Sequence, residues 1–595
     1  MPTSNFMPDV VVEIAWDGSF RTPMSSWTWT DISDSVELAS GLGITWGRGD
    51  ERSTADANTL TLTLDNSTGD FTAGRSSSAY YPDVVLYKPI RVTADPVDGS
   101  ASVRFVGYVT SWPVEWEDTD AYAKATITAS SRLARLGLNA QWRSLIEENF
   151  LKDEPVAYYP LGEPEGATSA ADISGHGAPP LVMFGDGDPV LFGQAIGPGT
   201  DDLTAATFTG GKYLRSAFPT TSYPAVTLSM FMLRDGVSTS PEGLWSGLGA
   251  ELTVETTGAL KCVFPSGTVD SPSSVCDGLI HHVGVVATAS GDVELFVDGV
   301  SVDTAPAGPV VALSDYTIGS GSGGRSVPSG VIAHFAMYGT ALTGAQLLNQ
   351  YVTGVTAYAG DATDERLERY ANLADIPSAE LALDAGSTTM LHVDTSGANV
   401  VDMMRLVETT EGGVLFDGRD GLLTFHNRSR RYATASALTL DMAKHEVGAD
   451  YSPRLDASAL VNDLSVVNAA GTASAHKVDA ASITANGLAT ASVTTGSDDP
   501  DEPLNMAGWA LLQFAEPKPR VPSVTVEALE QVGKTVTCAD VMAIDVGDKV
   551  TIANHPSQAS VSVSDYFVEG GTETYGPERL TLTWNVSPSS PDDTA

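Results

Sequence analysis

The sequence predicts a mainly β protein with some α+β segments, built from several domains. Glycine is abundant, at 57 of 595 residues, and short apolar runs lie between turn-forming residues. In residues 59–65 and 578–586, apolar and polar residues alternate strictly, which is typical of strands with one buried face. A chain of this length is expected to form about four domains.

The charge of the chain restricts its partners. Asp and Glu number 75 against 32 Lys and Arg, which gives a net charge of −43. A phosphate-binding groove needs clustered basic residues, and the one dense basic run is Arg428-Ser429-Arg430-Arg431. We therefore do not expect sequence-specific binding of nucleic acid.

The three cysteines argue against two kinds of site. Cys262, Cys276 and Cys538 form no Cys-x-x-Cys pair, so a zinc ribbon and a thioredoxin-type redox site are excluded. Cys262 and Cys276 could form a disulfide if the fold brings them together, but two buried thiols are the favoured interpretation.

The N-terminal residues do not resemble a signal peptide, because they lack a basic region and Glu13 interrupts their apolar stretch. No window approaches 18 consecutive apolar residues, so we expect no transmembrane helix and no membrane anchor. The protein is expected to be made in the cytoplasm.

The pattern changes along the chain. Residues 9–138 predict strands, and residues 132–155 contain a helical portion that Pro155 should end. Residues 340–354 predict an amphipathic helix, with Gly354 as a plausible cap. Its predicted apolar face comprises Leu342, Leu347, Leu348 and Tyr351.

Beyond residue 360, helices are predicted in residues 361–378 and 396–413, ended by Pro377 and by Gly412-Gly413. Residues 414–429 predict a β-hairpin. Strands are then expected to dominate to the end of the chain, followed by a disordered tail.

Motifs for catalysis or cofactor binding are weak. Gly319, Gly321 and Gly324 form G-x-G-x-x-G, but no helix can start after them, so a loop is favoured over a dinucleotide site. Asp292 and Glu294 are the nearest approach to a glycosidase carboxylate pair, and that pattern stops there. We predict no catalytic, metal or cofactor-binding residues and no enzyme activity.

Two short acidic clusters could help to hold calcium. They are Asp186-Gly187-Asp188 and Asp201-Asp202, and solvated turns are the favoured interpretation of both. Calcium in this part of the chain therefore stays an open alternative.

Residues 277–302 contain two adjacent histidines, His281 and His282, which could belong to a metal site or to a β-hairpin. Neighbouring residues in a strand point to opposite faces, so this pair is not expected to bind one metal ion. Asp298-Gly299 fits the turn of the next hairpin.

The order of segments around this hairpin resembles the laminin-G-like, concanavalin-A-like jelly-roll domain. The segments are 156–163, 167–177, 206–216, 226–233, 280–302, 316–324 and 331–351, and Ile280 stands where that family usually has Trp. The resemblance implies a β-sandwich that binds glycan or protein at one rim or on its concave sheet, sometimes with calcium. It supplies no ligand residues, and the glycan-binding residues stay unknown.

The flanks resemble a second family, the minor tail proteins of long-tailed actinobacteriophages, of the tail-hub (baseplate hub, tail-associated) class. The matching segments include 12–20, 43–78, 104–116, 366–377, 400–432, 460–471 and 541–552. The predicted division is an N-terminal β-rich hub part at 1–150, an inserted jelly roll at 151–358, an α+β hub segment at 359–450, a C-terminal β-rich hub domain at 451–588 and a disordered tail at 589–595. The hub parts are expected to fold together into β-barrels and an α+β piece.

The second resemblance implies a structural virion protein at the tail tip. It implies a homotrimer that closes the tail tube and contacts the distal tail protein, the tape-measure protein and other tail-tip or fibre proteins. The inserted domain would face host-surface glycan, and genomic DNA would pass through the lumen without specific binding. The alternatives are a surface adhesin or glycoside hydrolase on a jelly-roll scaffold, and the hub of a contractile injection apparatus.

Overall fold

A computed structural model gives the architecture of most of the chain. It describes residues 9–118, 122–198, 204–247, 249–264, 267–288, 290–306, 314–320, 328–432, 434–455, 457–532 and 534–589. The fold is mainly β with a few helices, which confirms the predicted class. Among the helices of these residues, none has the length and apolar composition needed to cross a membrane.

The chain divides into two compact units. Unit 1 comprises Met1–Ala140, Gly360–Leu391 and Asn399–Ala595, and unit 2 comprises Gln141–Ala359 and His392–Ala398. Unit 2 is thus inserted between two flanks of unit 1. Near the two ends of the long insertion, Asn149 Nδ2 donates a hydrogen bond to Tyr358 Oη at 3.1 Å, so both ends of the insertion lie side by side within unit 2.

The N-terminal flank is built almost entirely from strands. They are β1 (Asp9–Ile14), β2 (Thr30–Asp31), β3 (Leu42–Gly47), β4 (Thr59–Asp65), β5 (Pro89–Asp95), β6 (Ser102–Ser111), β7 (Glu115–Asp118) and β8 (Tyr122–Ser130). Helix α1 (Arg132–Leu136) follows them. Short 3-10 turns lie at Met24–Ser26, Ser33–Ser35 and Leu38–Ser40.

Unit 2 continues with helix α2 (Leu145–Lys152), a long run of strands and helix α3 (Gly344–Thr356). The strands are β9 (Ala157–Tyr159), β10 (Ser169–Ala170), β11 (Leu181–Phe184), β12 (Leu191–Ile196), β13 (Thr204–Thr209), β14 (Tyr213–Ser216), β15 (Val226–Asp235), β16 (Glu242–Gly247), β17 (Ala250–Val254), β18 (Ala259–Phe264), β19 (Gly267–Ser274), β20 (Asp277–Ala287), β21 (Asp292–Val297), β22 (Val300–Pro306), β23 (Tyr316–Ile318) and β24 (Ser329–Tyr338).

The C-terminal flank mixes helices and strands. Its helices are α4 (Thr363–Leu373), α5 (Val400–Glu411), α6 (Ala480–Asn486), α7 (Glu502–Phe514) and α8 (Cys538–Ala543), with 3-10 turns at Ser378–Glu380, Arg428–Arg431, Met442–Lys444 and Ala528–Gln531. Its strands are β25 (Leu381–Leu383), β26 (Val414–Asp417), β27 (Leu423–His426), β28 (Leu438–Asp441), β29 (Arg454–Leu455), β30 (Asp463–Asn468), β31 (Ser474–Val478), β32 (Thr490–Thr495), β33 (Pro519–Arg520), β34 (Ser523–Glu527), β35 (Lys549–Ala553), β36 (Val563–Gly576) and β37 (Arg579–Pro588).

The two flanks of unit 1 share one sheet. Its strands run in the order β2-β1-β5-β6-β8-β4-β3-β36-β35-β28, and β37 joins β36 to β34. The N-terminal β3 pairs antiparallel with the C-terminal β36, from Leu42 opposite Tyr575 to Gly47 opposite Gly570. Leu60, Leu62 and Leu64 of β4 are fully buried, as the alternation predicts.

Buried ion pairs also join the two flanks. Arg48 Nε donates to Glu569 Oε2 at 2.8 Å, and Arg431 Nη2 donates to Glu569 Oε1 at 2.7 Å. Burial alone would raise the pKa of Glu569, but the two arginines outweigh it and lower that pKa to about 2. Arg104 Nε donates in the same way to buried Glu573, at 3.0 Å.

Unit 2 is a sandwich of two sheets. One has the order β10-β11-β14-β23-β16-β17-β18-β19, and the other has β12-β13-β24-β15-β20-β21-β22, with β9 on β24. Leu214, Trp245, Leu252, Leu295 and Phe335 belong to the core shared by the two sheets. We call the first sheet the open sheet, because several large side chains on its outer face are exposed.

Helix α3 differs from its prediction at both ends and in its buried face. It begins at Gly344, so Leu342 of the predicted apolar face lies before the helix. It continues past Gly354 to Thr356, and Ala357 takes the left-handed cap conformation with φ of 41°. Gly354 lies inside the helix, and glycine is needed there because a Cβ would approach Phe231 Cζ to 2.3 Å. Leu347 is buried as predicted, but Leu348 is 44% exposed, and Gln350, which was not predicted on this face, is buried.

In the C-terminal flank, α4, α5 and the β26–β27 hairpin follow the predicted pattern, and Gly412 caps α5 with φ of 68°. Strands dominate the rest as predicted, but helices α6, α7 and α8, which also lie there, were not predicted. Helix α7 begins with Pro503 in its first turn, a start signal that the sequence does contain. Most of the tail, 590–595, lies outside the described residues.

Candidate functional site

The outer face of the open sheet is the candidate site in unit 2. Strand alternation sends Leu214, Ile318 and Trp245 into the core, so their neighbours point outward. Cross-strand pairing then lines the outward side chains up in one row across the sheet. That row comprises Val182, Arg215, Thr317, Ser246, Glu251, Val263 and Thr268.

An aromatic and charged corner stands at one end of this row. Phe184, which is 48% exposed, lies with its ring centroid 5.8 Å from that of Tyr213. The Arg215 guanidinium lies 5.3 Å from the Phe184 centroid and donates from Nη2 to Asp315 Oδ2 at 2.6 Å. The ion pair therefore holds the guanidinium beside the Phe184 ring, which itself lies next to the Tyr213 ring.

Polar groups continue along the row from this corner. Ser246 Oγ and Thr317 Oγ1 are 2.8 Å apart, and Thr317 Oγ1 donates to the Ser320 carbonyl oxygen at 3.1 Å. Further along the sheet, Lys261 Nζ lies 3.9 Å from Asp270 Oδ1. Exposed aromatic rings can stack on an apolar ring face of a ligand. The hydroxyl, guanidinium and carboxylate groups beside them can hydrogen bond the polar substituents of that ligand ring.

The two histidines lie on opposite faces of β20, as alternation predicts. His281 is held by Asp298 Oδ2 at 2.8 Å and by Asp277 Oδ1 at 3.1 Å, and the hydrogen bond with Asp298 is the main reason its pKa is raised. His282 is fully buried, 2.8 Å from Ser229 Oγ, and burial lowers its pKa to about 4. Each histidine thus has a structural partner of its own.

The other acidic candidates do not assemble into a site. Asp292 and Glu294 on β21 each accept a hydrogen bond from a serine hydroxyl, Ser290 and Ser301 respectively. Asp186 and Asp188 are exposed in a turn, and Asp201 and Asp202 lie outside the described residues. Within the described part of the chain, no three His, Cys, Asp or Glu side chains are grouped as a metal site.

The remaining motifs have structural placements. Gly319 has φ of 74°, and a Cβ there would approach Phe208 Cε1 to 2.3 Å, whereas Gly321 and Gly324 lie outside the described residues. Cys262 and Cys276 are buried free thiols, which confirms the favoured interpretation.

The basic run does not form a phosphate site. Arg428 Nη1 pairs with Glu502 at 2.6 Å, Arg430 Nε with Asp384 at 2.9 Å, and Arg431 with Glu569. Each arginine of the run is therefore neutralised by its own carboxylate or a shared one.

Sequence reasoning did not single out Phe184, Tyr213, Arg215 or Asp315. Their strands are short, and Asp315 lies just before β23, about 100 residues after Arg215 in the chain. The alternation of Tyr213, Leu214 and Arg215 was a usable signal for an outward pair, but the pairing with β11 and β23 follows only from the fold.

Comparison with known proteins identifies unit 2. The family model Laminin_G_3, described as the concanavalin A-like lectin/glucanases superfamily, matches residues 208–348. Unit 2 therefore carries a concanavalin A-like domain, as the sequence predicts. A search of curated proteins finds no match to the chain.

Solved structures similar to the chain have low identity. Domain 4 of AbnA, a GH43 extracellular arabinanase from Geobacillus stearothermophilus, in complex with arabinotriose, has 17% identity and a TM-score of 0.28, covering 33% of this chain and 98% of that one. The receptor binding domain of botulinum neurotoxin D has 11% identity and a TM-score of 0.28, covering 36% of this chain and 55% of that one. The chain thus spans about half the length of the neurotoxin structure.

Proposed function

We propose that the protein is the hub at the tip of a long-tailed phage tail, and that unit 2 binds glycan on the host surface through its open sheet. The observation that carries the proposal is the insertion, since two flanks far apart in sequence fold into one unit and a lectin-like sandwich lies between them in the chain. The flanks are the segments that resemble minor tail proteins.

In this function, unit 1 is the structural part. Three copies close the tail tube and contact the distal tail protein, the tape-measure protein and other tail-tip or fibre proteins. DNA passes the hub without specific binding, which agrees with a chain of net charge −43 whose one dense basic run is paired with carboxylates. The protein then resides in the virion.

The proposal that unit 2 binds glycan has two supports. They are the family that unit 2 matches and the corner of the open sheet formed by Phe184, Tyr213, Arg215 and Asp315. A sugar ring has an apolar face that can stack on Phe184 or Tyr213, and hydroxyl groups that Arg215 and Asp315 can hydrogen bond. Asp292 and Glu294, the nearest approach to a glycosidase carboxylate pair in the sequence, are each held by a serine hydroxyl, so we propose binding without hydrolysis.

Assembly is tested by light scattering and negative-stain imaging of the full chain, alone and with the distal tail protein of the same genome. A ring with about three times the 62.1 kDa mass of one chain is expected. A monomer under both conditions would overturn the hub role and favour a surface adhesin.

Glycan binding is tested on a glycan array with the full chain and Phe184→Ala. We expect the variant to lose up to roughly tenfold in affinity, because an aromatic contact is worth about 0.5–1.5 kcal/mol beyond the area it buries. Val300→Ala, at an exposed residue of the other sheet, is the matched control and should bind normally. If Phe184→Ala binds the array as tightly as the unchanged chain, the outer face of the open sheet is not the glycan-binding site. Release of reducing sugar would favour a glycoside hydrolase.

A further inference from the structure

Unit 1 has two neighbouring cavities around the end of α7. The apolar cavity, of about 1170 Å³, includes Leu455, Leu511, Leu512, Val561 and Val563 in its wall. The basic cavity, of about 320 Å³, lies beside it. Both are lined by Lys518 and Pro588, so together they form one continuous surface, which we call the α7 groove.

The apolar cavity collects exposed aliphatic side chains. Leu455 is 68% exposed, Leu512 55%, Val561 52% and Val563 49%. Four large aliphatic side chains converging on one concavity form a patch of the kind that marks an interface, whereas single exposed ones need no explanation.

The basic cavity has an excess of positive charge. Its lining contains five basic side chains, Arg48, Arg52, Arg431, Lys518 and Arg520, against Glu51 and Glu408. Glu569 beneath it is shared by Arg48 and Arg431, and Arg520 pairs with Glu51 at 2.5 Å, so the excess remains positive.

Arg52 accounts for part of this excess. It is exposed, donates from Nη1 to the Ser458 carbonyl oxygen at 3.2 Å and lies 5.9 Å from the Phe514 ring centroid. Among the described residues, no carboxylate lies within ion-pairing distance of its guanidinium. The lining of the basic cavity is therefore positive, although the chain as a whole has a net charge of −43.

We propose that the α7 groove binds an acidic polypeptide segment of a partner protein, with aliphatic residues of the segment in the apolar cavity and its carboxylates at the basic cavity. The exposed aliphatic side chains of the apolar cavity favour Leu, Ile, Val or Met side chains of a polypeptide, and an oligonucleotide is the competing occupant to be tested because aromatic residues also line the groove. The basic cavity selects acidic segments and speeds their association. This inference does not depend on the tail-hub role, because it concerns a surface of unit 1 in any assembly.

The test measures fluorescence anisotropy of labelled dodecapeptides with the full chain. One peptide alternates Asp with Leu, a second alternates Lys with Leu, and a third alternates Asp with Ser; an oligo-dT of matched length is the fourth probe. We expect the Asp–Leu peptide to bind at least about tenfold tighter than the others and to weaken in high salt.

Two variants test the two cavities separately. Arg52→Glu and Leu512→Asp should each weaken the Asp–Leu peptide by roughly tenfold or more. Arg21→Glu and Leu138→Asp change exposed residues of unit 1 outside the groove and are the matched controls. All four changed residues are exposed, so an unaltered thermal transition is expected and checks that each variant is folded.

Three results of the binding measurements would overturn the proposal. They are equal binding of the Asp–Leu and Lys–Leu peptides, tighter binding of the oligonucleotide than of any peptide, and binding that neither groove variant affects. Self-association that Leu512→Asp abolishes would also overturn it, because a second copy of the chain would then be the occupant.

Discussion

At the scale of single residues, Glu569 is the clearest case of a side chain on which two distant segments depend. It accepts hydrogen bonds from Arg48 of the N-terminal flank and Arg431 of the C-terminal flank while fully buried. Glu569→Gln leaves the buried Arg48 guanidinium and the partly buried Arg431 guanidinium without their carboxylate, so we expect unit 1 to lose about 3–5 kcal/mol of unfolding free energy. Chemical denaturation measures this.

Glu530→Gln is the control for that change, since Glu530 is exposed on unit 1. It should alter the unfolding free energy by less than about 0.5 kcal/mol. Equal effects of the two substitutions would contradict the role assigned to Glu569.

The buried histidines of unit 2 predict a dependence of stability on pH. Burial lowers the pKa of His282 to about 4 and of His334 to about 3, below the ordinary value of 6.5. The unfolded chain takes up these protons first, so unit 2 should lose about 1.4 kcal/mol per pH unit for each histidine as pH falls from 6.5 toward 4. His281 acts oppositely, because its raised pKa favours the folded state below pH 6.5.

Hydrogen exchange of amides in β15, β20 and β24 at several pH values, corrected for the intrinsic exchange rate, measures this loss. His176→Asn, at an exposed histidine of unit 2, should leave the slope unchanged. A stability of unit 2 that stays flat from pH 6.5 to pH 4 would contradict the prediction.

At the scale of secondary-structure elements, two helix glycines should respond in opposite ways to alanine. Gly354→Ala in α3 places a Cβ 2.3 Å from Phe231 Cζ, so overpacking should cost about 1–3 kcal/mol. Gly508→Ala in α7 meets only the flexible end of Lys477, so helix propensity should stabilise α7 by roughly 0.5–1 kcal/mol. Thermal unfolding of each variant measures both effects, and the same sign for both would reject this explanation.

The same two helices mark the limit of prediction from sequence. Strands β4 and β37 were predicted correctly because the alternation of neighbouring residues alone determines which side chains are buried. The end of α5 was predicted correctly because Gly412 itself takes the left-handed cap conformation. Gly354 looked like a cap because the ring that requires it, Phe231, is more than 100 residues away in the chain. The candidate corner at Arg215 and Asp315 was missed for the same reason, since its members meet only through sheet pairing.

At the scale of the whole molecule, the insertion predicts that unit 1 folds without unit 2. Replacing Gln141–Ala359 by a flexible linker should leave a cooperative thermal transition within a few degrees of that of unit 1 in the full chain, because β3–β36 pairing and the buried ion pairs remain. Calorimetry measures the transition. Adding Glu569→Gln should lower its midpoint further, and loss of the cooperative transition in the linker variant itself would refute the expectation.

The pairing of β3 with β36 also sets an order of events during synthesis. Leu42 leaves the ribosome long before Tyr575, its partner, and at ordinary translation rates the interval is roughly half a minute to two minutes. Unit 2 emerges within that interval with all of its own strands, so it can fold first while one edge of β3 waits unpaired. The growing chain therefore carries an open strand edge throughout most of its synthesis, the stage at which a chaperone or a neighbouring nascent chain would encounter it.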